Sequence, residues 1–288
     1  MPSRASRVSR YMTREVYTVK PEDNLARARK LMLSRGIGRL IVVDDDKRPV
    51  GIITVTDIAN ALVLRWPNRP AHAIKVMEAM TDDPVTIEQT RTIRKAAEYM
   101  LRYGIGGLPV VNALNELVGI ITRTDLLRAF AESFPGAYKV ADLMRREFAR
   151  VRTDHSIFHV NGMIEVDPAG KVLVFNDREE LVGVIAKRDL AFVATPVRRG
   201  STTFIRIRGR ARAPRRVYTI HLAEDIMTPN PLTVEPEVDA AEAAKLMLEE
   251  RIGILPVVSG DGVLGVFSKL EVLRAIFAPA PRRAGGGA

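Results

Sequence analysis

The chain has 288 residues, of which 47% are apolar, and a formal net charge of +10. This composition suffices for two ordinary hydrophobic cores, and no apolar run approaches the roughly 18 residues that a membrane-spanning helix needs. The absence of cysteine excludes disulfides and thiol chemistry. We therefore expect a soluble protein with no membrane partner, and a cytoplasmic one, because the basic N-terminus lacks the apolar core of a signal peptide.

The positive charge is concentrated in one segment and two tails. Residues 190–223 contain eight arginines and no acidic residue. We expect an Arg-rich insert over 194–222, either as an edge strand or hairpin around Thr202–Arg208 or as a disordered arm. Residues 279–288 are expected to be a disordered tail. The high arginine content together with the lack of cysteine favours a thermophilic source.

The order of the first elements follows from apolar periodicity. A short strand is predicted at Val16–Val19, and an amphipathic helix at residues 25–32 follows it. Two further strands are predicted at Leu40–Val43 and Val50–Ile53, and a last helix at Asp57–Leu64 closes the unit. The predicted order is therefore β-α-β-β-α.

This unit recurs along the chain. The heptapeptide G-I-I-T-x-T-D stands at Gly51–Asp57 and Gly119–Asp125, and weaker copies stand at Gly183–Asp189 and Gly265–Glu271. A methionine precedes each of these glycines by 39 residues, or by 38 in the last copy. Such repetition defines the folding unit. Because a unit of about 65 residues is small for one core, we expect two units per core.

These residues resemble the cystathionine-β-synthase (CBS) domain. The matching features are the order β-α-β-β-α, the opening M-T-x-x-P-V-T-I at Met80–Ile87, the strand L-P-V-V and the final G-h-h-T-x-x-D, where h is an apolar residue. The third repeat is divergent, because its first helix lacks a clear apolar stripe and the motif I-G-x-L is replaced around Ala169–Leu173. The resemblance covers four ranges, namely residues 8–64, 76–133, 140–193 and 223–277.

The resemblance implies an α/β (α+β) fold of four CBS repeats, arranged as two pseudo-twofold pairs. The first pair would span residues 1–134 and the second residues 135–278. It also implies that adenosine-containing ligands bind in clefts between paired repeats. Similar four-repeat chains include archaeal stand-alone CBS proteins and the γ subunit of AMP-activated protein kinase.

The strand-to-helix junctions carry the first candidate nucleotide-binding residues. Thr54 and Thr122 present hydroxyls at strand ends. Asp57 and Asp125 fall in the first turn of a helix, where a carboxylate can accept hydrogen bonds from both ribose hydroxyls. The glycines that open the two heptapeptides allow a ligand to approach the backbone closely. Two isoleucines, Ile52 and Ile120, can form the wall against an adenine base.

The remaining candidates lie on the facing strands. Gly38, Gly106 and Gly107 leave room for a base. Arg39 and Arg123 offer guanidinium forks that suit phosphates.

The same pattern has a structural interpretation. T-x-x-D and S-x-x-E before an apolar run are capping-box patterns. A cap favours glutamate, whereas a grip on a ribose favours the shorter aspartate. By this comparison, repeats one and two are binding sites and Ser268 with Glu271 is a cap. Repeat three keeps Asp189 but has Ala186 in place of the hydroxyl. Asp189 and Ser268 remain the candidates for the second pair.

No Ser-His-Asp set, paired catalytic carboxylates or phosphate-binding loop is recognisable, so we predict no enzyme and no catalytic residue. His155 and His159 have no evident third ligand, so no metal site is predicted. We expect a regulatory, energy-sensing module that requires no cofactor. It would bind AMP, ADP or ATP and act on an effector protein or a second copy of itself. The alternatives are an S-adenosylmethionine sensor, and a nucleic-acid-binding protein that uses residues 198–216.

Overall fold

The computed structural model describes residues 5–193, 221–260 and 262–278. No helix within these ranges is long and apolar enough to cross a membrane. The predicted Arg-rich insert, apart from its last residues, and the predicted C-terminal tail lie outside them.

The chain divides into two compact units. The larger unit combines Met1–Ile58, Arg69–Phe148 and Pro231–Ala288, and so contains most of the first, second and fourth repeats. The smaller unit combines Ala59–Asn68 and Ala149–Asn230, and its main component is the third repeat. The predicted division into two pairs, at residue 134, stays a prediction.

The first repeat is built on a four-stranded sheet of order β1-β2-β3-β4. β1 runs parallel to β2, and the other neighbours are antiparallel. The Asn24 side chain accepts a hydrogen bond from the Arg27 amide and starts α2, which ends at Gly36 with φ of 62°. The elements are α1 (Val8–Tyr11), β1 (Thr18–Val19), α2 (Leu25–Arg35), β2 (Arg39–Val43), β3 (Pro49–Thr54), α3 (Val55–Asn60) and β4 (Thr81–Asp82). A π-helical turn, Ala61–Arg65, continues α3.

The second repeat contains a three-stranded sheet of order β5-β6-β7. Two 3-10 turns, Ala71–Ala73 and Val76–Glu78, lead into it. Thr92 caps its first helix by accepting a hydrogen bond from the Lys95 amide. The elements are β5 (Ile87–Glu88), α4 (Ile93–Arg102), β6 (Gly107–Val111), β7 (Leu117–Thr122) and α5 (Arg123–Ser133), with α6 (Val140–Leu143) following.

The third repeat has a four-stranded sheet of order β11-β10-β9-β8. Its first helix forms despite the weak apolar stripe, because Val160 and Ile164 are buried and Ser156 caps the N-terminus. Phe158 and Val166 on the same helix are exposed. The elements are β8 (Arg150–Arg152), α7 (Ile157–Val166), β9 (Lys171–Phe175), β10 (Leu181–Ala186), α8 (Lys187–Val193), α9 (Ala223–Ile226) and β11 (Thr228–Pro229).

The fourth repeat has two long strands and two helices. The Asp239 side chain accepts a hydrogen bond from the Ala241 amide and starts the first helix. The segment that corresponds to the first strand of the other repeats forms a single bridge, between Val234 and Val257. The elements are α10 (Ala240–Glu249), β12 (Ile254–Ser259), β13 (Gly262–Ser268) and α11 (Lys269–Phe277).

The main core of the larger unit lies where the helices of the second and fourth repeats meet. α5 packs against both α10 and α11, and α11 also packs against α4. Phe130, Met100, Phe267 and Met247 are fully buried there. The apolar helix faces of these two repeats thus cover each other within one chain.

Each repeat receives an edge from a segment that begins another repeat. Thr13, just after α1, bridges to Ile120 in the second repeat, while β4, before the second repeat, pairs with β3 of the first. Arg145, just after α6, bridges to Val266 in the fourth repeat, and β11 pairs with β10 of the third. Repeats one and two therefore exchange their opening segments.

The predicted order β-α-β-β-α is confirmed in the first three repeats, and in the fourth a single bridge stands in place of the first strand. The predicted first strand, Val16–Val19, is shorter than expected, since only Thr18–Val19 is a strand. The closing helices begin earlier than expected. For example, α3 starts at Val55 and not at Asp57, because the threonine before it serves as a cap.

Candidate functional site

The candidate site is formed by the strand-to-helix junctions of the first two repeats, β3–α3 and β7–α5. The first residue of the facing strand lies in register with the threonine that ends the second strand. Arg39 is opposite Thr54 in the first repeat, and Gly107 is opposite Thr122 in the second. The fold therefore brings residues that are 15 positions apart in the sequence side by side at one end of each sheet.

The threonine and the aspartate of each junction form a reciprocal cap. In the first repeat the Thr54 amide and hydroxyl both donate to Asp57 Oδ2, at 2.8 and 2.6 Å, and the Asp57 amide donates to Thr54 Oγ1 at 3.2 Å. In the second repeat the Thr122 amide and hydroxyl donate to Asp125 Oδ2 at 2.8 and 2.7 Å. These contacts satisfy amides that the first helical turn leaves without partners.

The predicted cap at Ser268 and Glu271 is confirmed, but aspartate caps the other helices in the same way, so residue type does not separate a cap from a binding site. Ser268 donates to Glu271 Oε2 through its amide and hydroxyl, and the Ala186 amide donates to Asp189 Oδ2 at 2.8 Å. All four repeats thus use one carboxylate oxygen for the cap. The second oxygen takes no part in the cap, so capping does not exclude another contact. In Asp125, Asp189 and Glu271 this oxygen lies 3.5–3.6 Å from an arginine.

Two arginines give the site its charge. The Arg39 guanidinium extends from the first repeat to the second, over Gly106 and Gly107. Burial lowers the pKa of Arg39, and the nearby charge of Arg123 lowers it further. Burial also lowers the pKa of Arg123. The Arg39 guanidinium forms no hydrogen bond or ion pair with the residues that the structure describes, whereas its backbone pairs with Thr54 in the sheet.

Arg123 is held in place by backbone carbonyls. Its Nε donates to the Ile105 carbonyl at 3.3 Å, and its amide donates to the Gly106 carbonyl at 3.2 Å. The equivalent contact in the first repeat joins the Val55 amide to the Gly38 carbonyl at 3.1 Å. The I-G motif thus supplies an acceptor for the helix start in both repeats.

The three glycines predicted to leave room for a base differ from one another. A Cβ on Gly38 would meet no atom within 4 Å, so space is open there. A Cβ on Gly107 would lie 2.5 Å from Arg39 Nη1, and one on Gly106 would lie 3.0 Å from Nη2. The Arg39 guanidinium occupies the space beside these two glycines, and room for a base there stays a prediction.

The glycines that open the two heptapeptides, Gly51 and Gly119, have a different role from the one predicted. A Cβ on Gly51 would lie 2.4 Å from the Met80 sulfur, and one on Gly119 would lie 2.9 Å from both the Met12 sulfur and the Thr13 carbonyl oxygen. The close approach is made by the exchanged segment of the other repeat, and the expected approach of a ligand at these glycines is wrong.

The exchanged segments add residues that the sequence did not indicate. Thr81 pairs directly with Ile52, and Thr13 with Ile120. Both isoleucines are half-buried, whereas Ile53 and Ile121 point into the core. The two isoleucines predicted as walls therefore face the partly open side of their sheets, beside a threonine from the other repeat. The dipeptide M-T recurs near the start of three repeats, and this recurrence is the sequence signal that could have indicated these threonines.

The candidates of the second pair lie in different surroundings. Ser268 is fully buried, and its hydroxyl is engaged with Glu271 and with the Leu270 amide. Asp189 lies beside Arg188, with 3.6 Å between the carboxylate and Nε. Their role in binding stays a prediction.

His155 and His159 pack edge to face, with ring centroids 4.3 Å apart. His155 Nδ1 accepts a hydrogen bond from the Arg152 amide. Across the described ranges, no group of three His, Asp or Glu side chains is arranged to hold a metal ion.

The fold and the site define a class of protein, in which β-α-β-β-α repeats exchange their opening segments and place capped, half-buried strand ends at one end of each sheet. The model of the CBS domain matches residues 8–64, 76–132, 140–194 and 223–278. The chain therefore belongs to the CBS domain family, whose members act as regulatory modules. The matched bounds agree with the predicted repeats to within one residue.

Three similar proteins illustrate the family. Uncharacterized protein MJ1404 of Methanocaldococcus jannaschii is 28% identical over 273 residues, which cover 93% of this chain and 61% of that relative, so the chain spans less than two thirds of its length. The crystal structure of MJ1225 from the same organism, described as a candidate archaeal homologue of γ-AMPK, has a TM-score of 0.73 at 23% identity and covers 93% of this chain and 99% of its own. The CBS pair of protein MJ0100, crystallised with 5′-methylthioadenosine and S-adenosyl-L-methionine, is 29% identical, covers 44% of this chain and 98% of its own, and has a TM-score of 0.40.

Proposed function

We propose that the chain is a non-catalytic regulatory module that binds an adenine nucleotide in the cleft between its first two repeats. The observation that carries this proposal is the guanidinium of Arg39. It is half-buried, it lies beside a second arginine, Arg123, and it forms no ion pair with the described residues.

A cation in this position is costly without an anion. Removing an ion from water costs several kcal/mol, and the cost is offset only when an opposite charge and hydrogen bonds are available. The phosphate of a nucleotide supplies both, and it fits the fork of a guanidinium. The second arginine adds repulsion that a phosphate between the two would relieve. The pair therefore favours a phosphate-bearing ligand over S-adenosylmethionine, which has none.

The two junctions carry groups that match the rest of the nucleotide. Asp57 and Asp125 each keep one carboxylate oxygen beyond the cap, and this oxygen suits a ribose hydroxyl. Ile52 and Ile120 supply apolar walls for the base. The choice of adenine rests on the CBS family resemblance. Occupancy would act on an effector protein to the extent that the ligand binds one arrangement of the repeats more tightly than another.

Thermal denaturation and calorimetric titration of the purified chain test the proposal with AMP, ADP, ATP, adenosine and S-adenosylmethionine. We expect the phosphate-bearing ligands to raise the melting temperature and to bind more tightly than adenosine. Arg39→Gln should weaken nucleotide binding by about tenfold or more, since a charge-assisted hydrogen bond contributes roughly 1.5–3 kcal/mol. Arg29→Gln is the matched control, because Arg29 carries the same charge on the exposed side of α2 in the same repeat.

The ribose contact needs a variant that preserves the cap. Asp57→Asn and Asp125→Asn retain an acceptor for the threonine, whereas alanine would remove it. Asp142→Asn is the control, because Asp142 accepts a hydrogen bond from the Lys139 amide at 2.8 Å in an equivalent cap at α6. The proposal fails if no adenine nucleotide stabilises the chain, or if the Arg39 variant binds as tightly as the Arg29 control.

A further inference from the structure

The strand-to-helix junction of the fourth repeat, β13–α11, is buried, whereas the junctions of the first two repeats are partly exposed to solvent. Val266 and Ser268 on β13 are fully buried. Their equivalents on β7, Ile120 and Thr122, are half-buried. The two strands belong to the same unit and have the same relation to the helix that follows them. A difference in what lies over the strands must therefore account for the closure.

The residue beside this strand in the fourth repeat is an arginine. Arg145 bridges to Val266 through two backbone hydrogen bonds of 2.9 Å, as Thr13 bridges to Ile120 in the second repeat. The equivalent residues in the other two repeats are also threonines, since Thr81 pairs with Ile52 and Thr228 with Val184. The fourth repeat alone receives a long cationic side chain at this position.

The guanidinium of Arg145 reaches the carboxylate of the junction. Arg145 Nε lies 3.5 Å from Glu271 Oε1, with side-chain exposures of 14% and 1%. In the second repeat, the corresponding oxygen of Asp125 is 3.5 Å from Arg128, which is half exposed and belongs to the same helix. Arg274 is the matching residue of the fourth repeat, at 3.6 Å from Glu271. Arg145 is thus an additional partner.

The facing strand completes the closure. Ile254 lies in register with Ser268, at the position that Arg39 and Gly107 hold in the first two repeats. Only 8% of Ile254 is exposed. At this position the fourth repeat has an apolar side chain, the first repeat has the cation of Arg39, and the second repeat has a glycine without a side chain.

We propose that Arg145 is an internal substitute for a ligand, which contacts the carboxylate oxygen of Glu271 that takes no part in the cap and keeps nucleotides out of the fourth repeat. This inference rests on the proposed function for the identity of the excluded ligand. The contact between Arg145 and Glu271 itself does not depend on that function, so the two can be tested separately.

The exclusion is tested by photolabelling with 8-azido-ATP and mapping of the labelled peptides. In the unmodified chain we expect label in the first two repeats and none over residues 262–277. Arg145→Thr, which installs the residue found in the other three repeats, combined with Ile254→Gly should add label there. Arg146→Thr is the matched control, because Arg146 is next to Arg145 in the sequence, carries the same charge and is exposed. Label over 262–277 in the unmodified chain, or no gain in the double variant, overturns the exclusion.

The closure is tested by melting temperatures without any ligand. Arg145→Thr should lower the melting temperature more than Arg146→Thr does, and this loss should shrink in a Glu271→Gln background, because the partner charge is then absent. Equal losses in both backgrounds overturn the closure. If no peptide is labelled in any variant, the proposed function fails, and the coupling between Arg145 and Glu271 still decides this inference.

Discussion

Substitution of Gly51 by alanine tests how the first two repeats hold each other's opening segments. The added Cβ would lie 2.4 Å from the Met80 sulfur and 3.1 Å from two of its carbons. Real Cβ atoms do not approach so closely, so either the methionine or β4 must move. Overpacking of this kind typically costs about 1–3 kcal/mol. Because a methionine side chain is flexible, we expect a loss in the lower half of that range.

Guanidinium denaturation followed by far-UV circular dichroism measures this loss. Gly38→Ala is the matched control, because its Cβ would meet nothing within 4 Å and its backbone is not left-handed. We expect Gly38→Ala to change the free energy of unfolding by less than about 0.5 kcal/mol. In a Met80→Ala background, Gly51→Ala should lose most of its cost, because the clashing atoms are gone.

Two results would refute the reasoning. One is a Gly51→Ala variant as stable as the Gly38→Ala variant. The other is a pair of effects that simply add when Gly51→Ala and Met80→Ala are combined, since residues in contact should be coupled by roughly 0.5–3 kcal/mol. Either result would mean that the glycine is not required by the exchanged segment.

Three further predictions concern the cap, the cleft and the core. Thr122→Ala should lower the free energy of unfolding, measured by chemical denaturation, by about 1 kcal/mol, the usual loss when an N-cap is removed. Thr13→Ala, at an exposed threonine, should cause no such loss. Arg39→Met should leave the ligand-free chain as stable as before or more stable, because it removes a half-buried charge that has no ion-pair partner among the described residues, and a fall in melting temperature would contradict this. Phe130→Ala should cost about 3–5 kcal/mol, since Phe130 is fully buried between the second and fourth repeats, whereas Phe158→Ala, at an exposed position, should stay within about 0.5 kcal/mol.

The repeats and their element order could be predicted because periodicity and motif agree at every level. Apolar strands, capped helices and the recurring glycine pointed to the same unit four times, and consistency of this kind specifies a fold. Even the divergent third repeat keeps the pattern, since Gly170 takes the place of Gly38 and its carbonyl accepts a hydrogen bond from the Lys187 amide at 3.1 Å.

The exchange of opening segments could not be predicted, although its trace is visible in the sequence. The methionine stands at a constant distance before the glycine of its own repeat, yet it packs on the glycine of another. Met12 contacts Gly119, Met80 contacts Gly51 and Met227 contacts Gly183. A constant spacing shows that two positions belong to one repeating unit, but it does not show which copies meet in space.

The threonine and aspartate of the junction were less informative about binding than expected, because the fold itself requires the cap in every repeat. The position that separates the repeats is the first residue of the facing strand, which reads Arg39, Gly107, Lys171 and Ile254. In the first two repeats the guanidinium of Arg39 lies over Gly107, and this cation can bind an anion. An isoleucine, with Arg145 beside it, leaves no such demand in the fourth. The difference between copies at one strand position therefore indicates function better than the motif that all copies share.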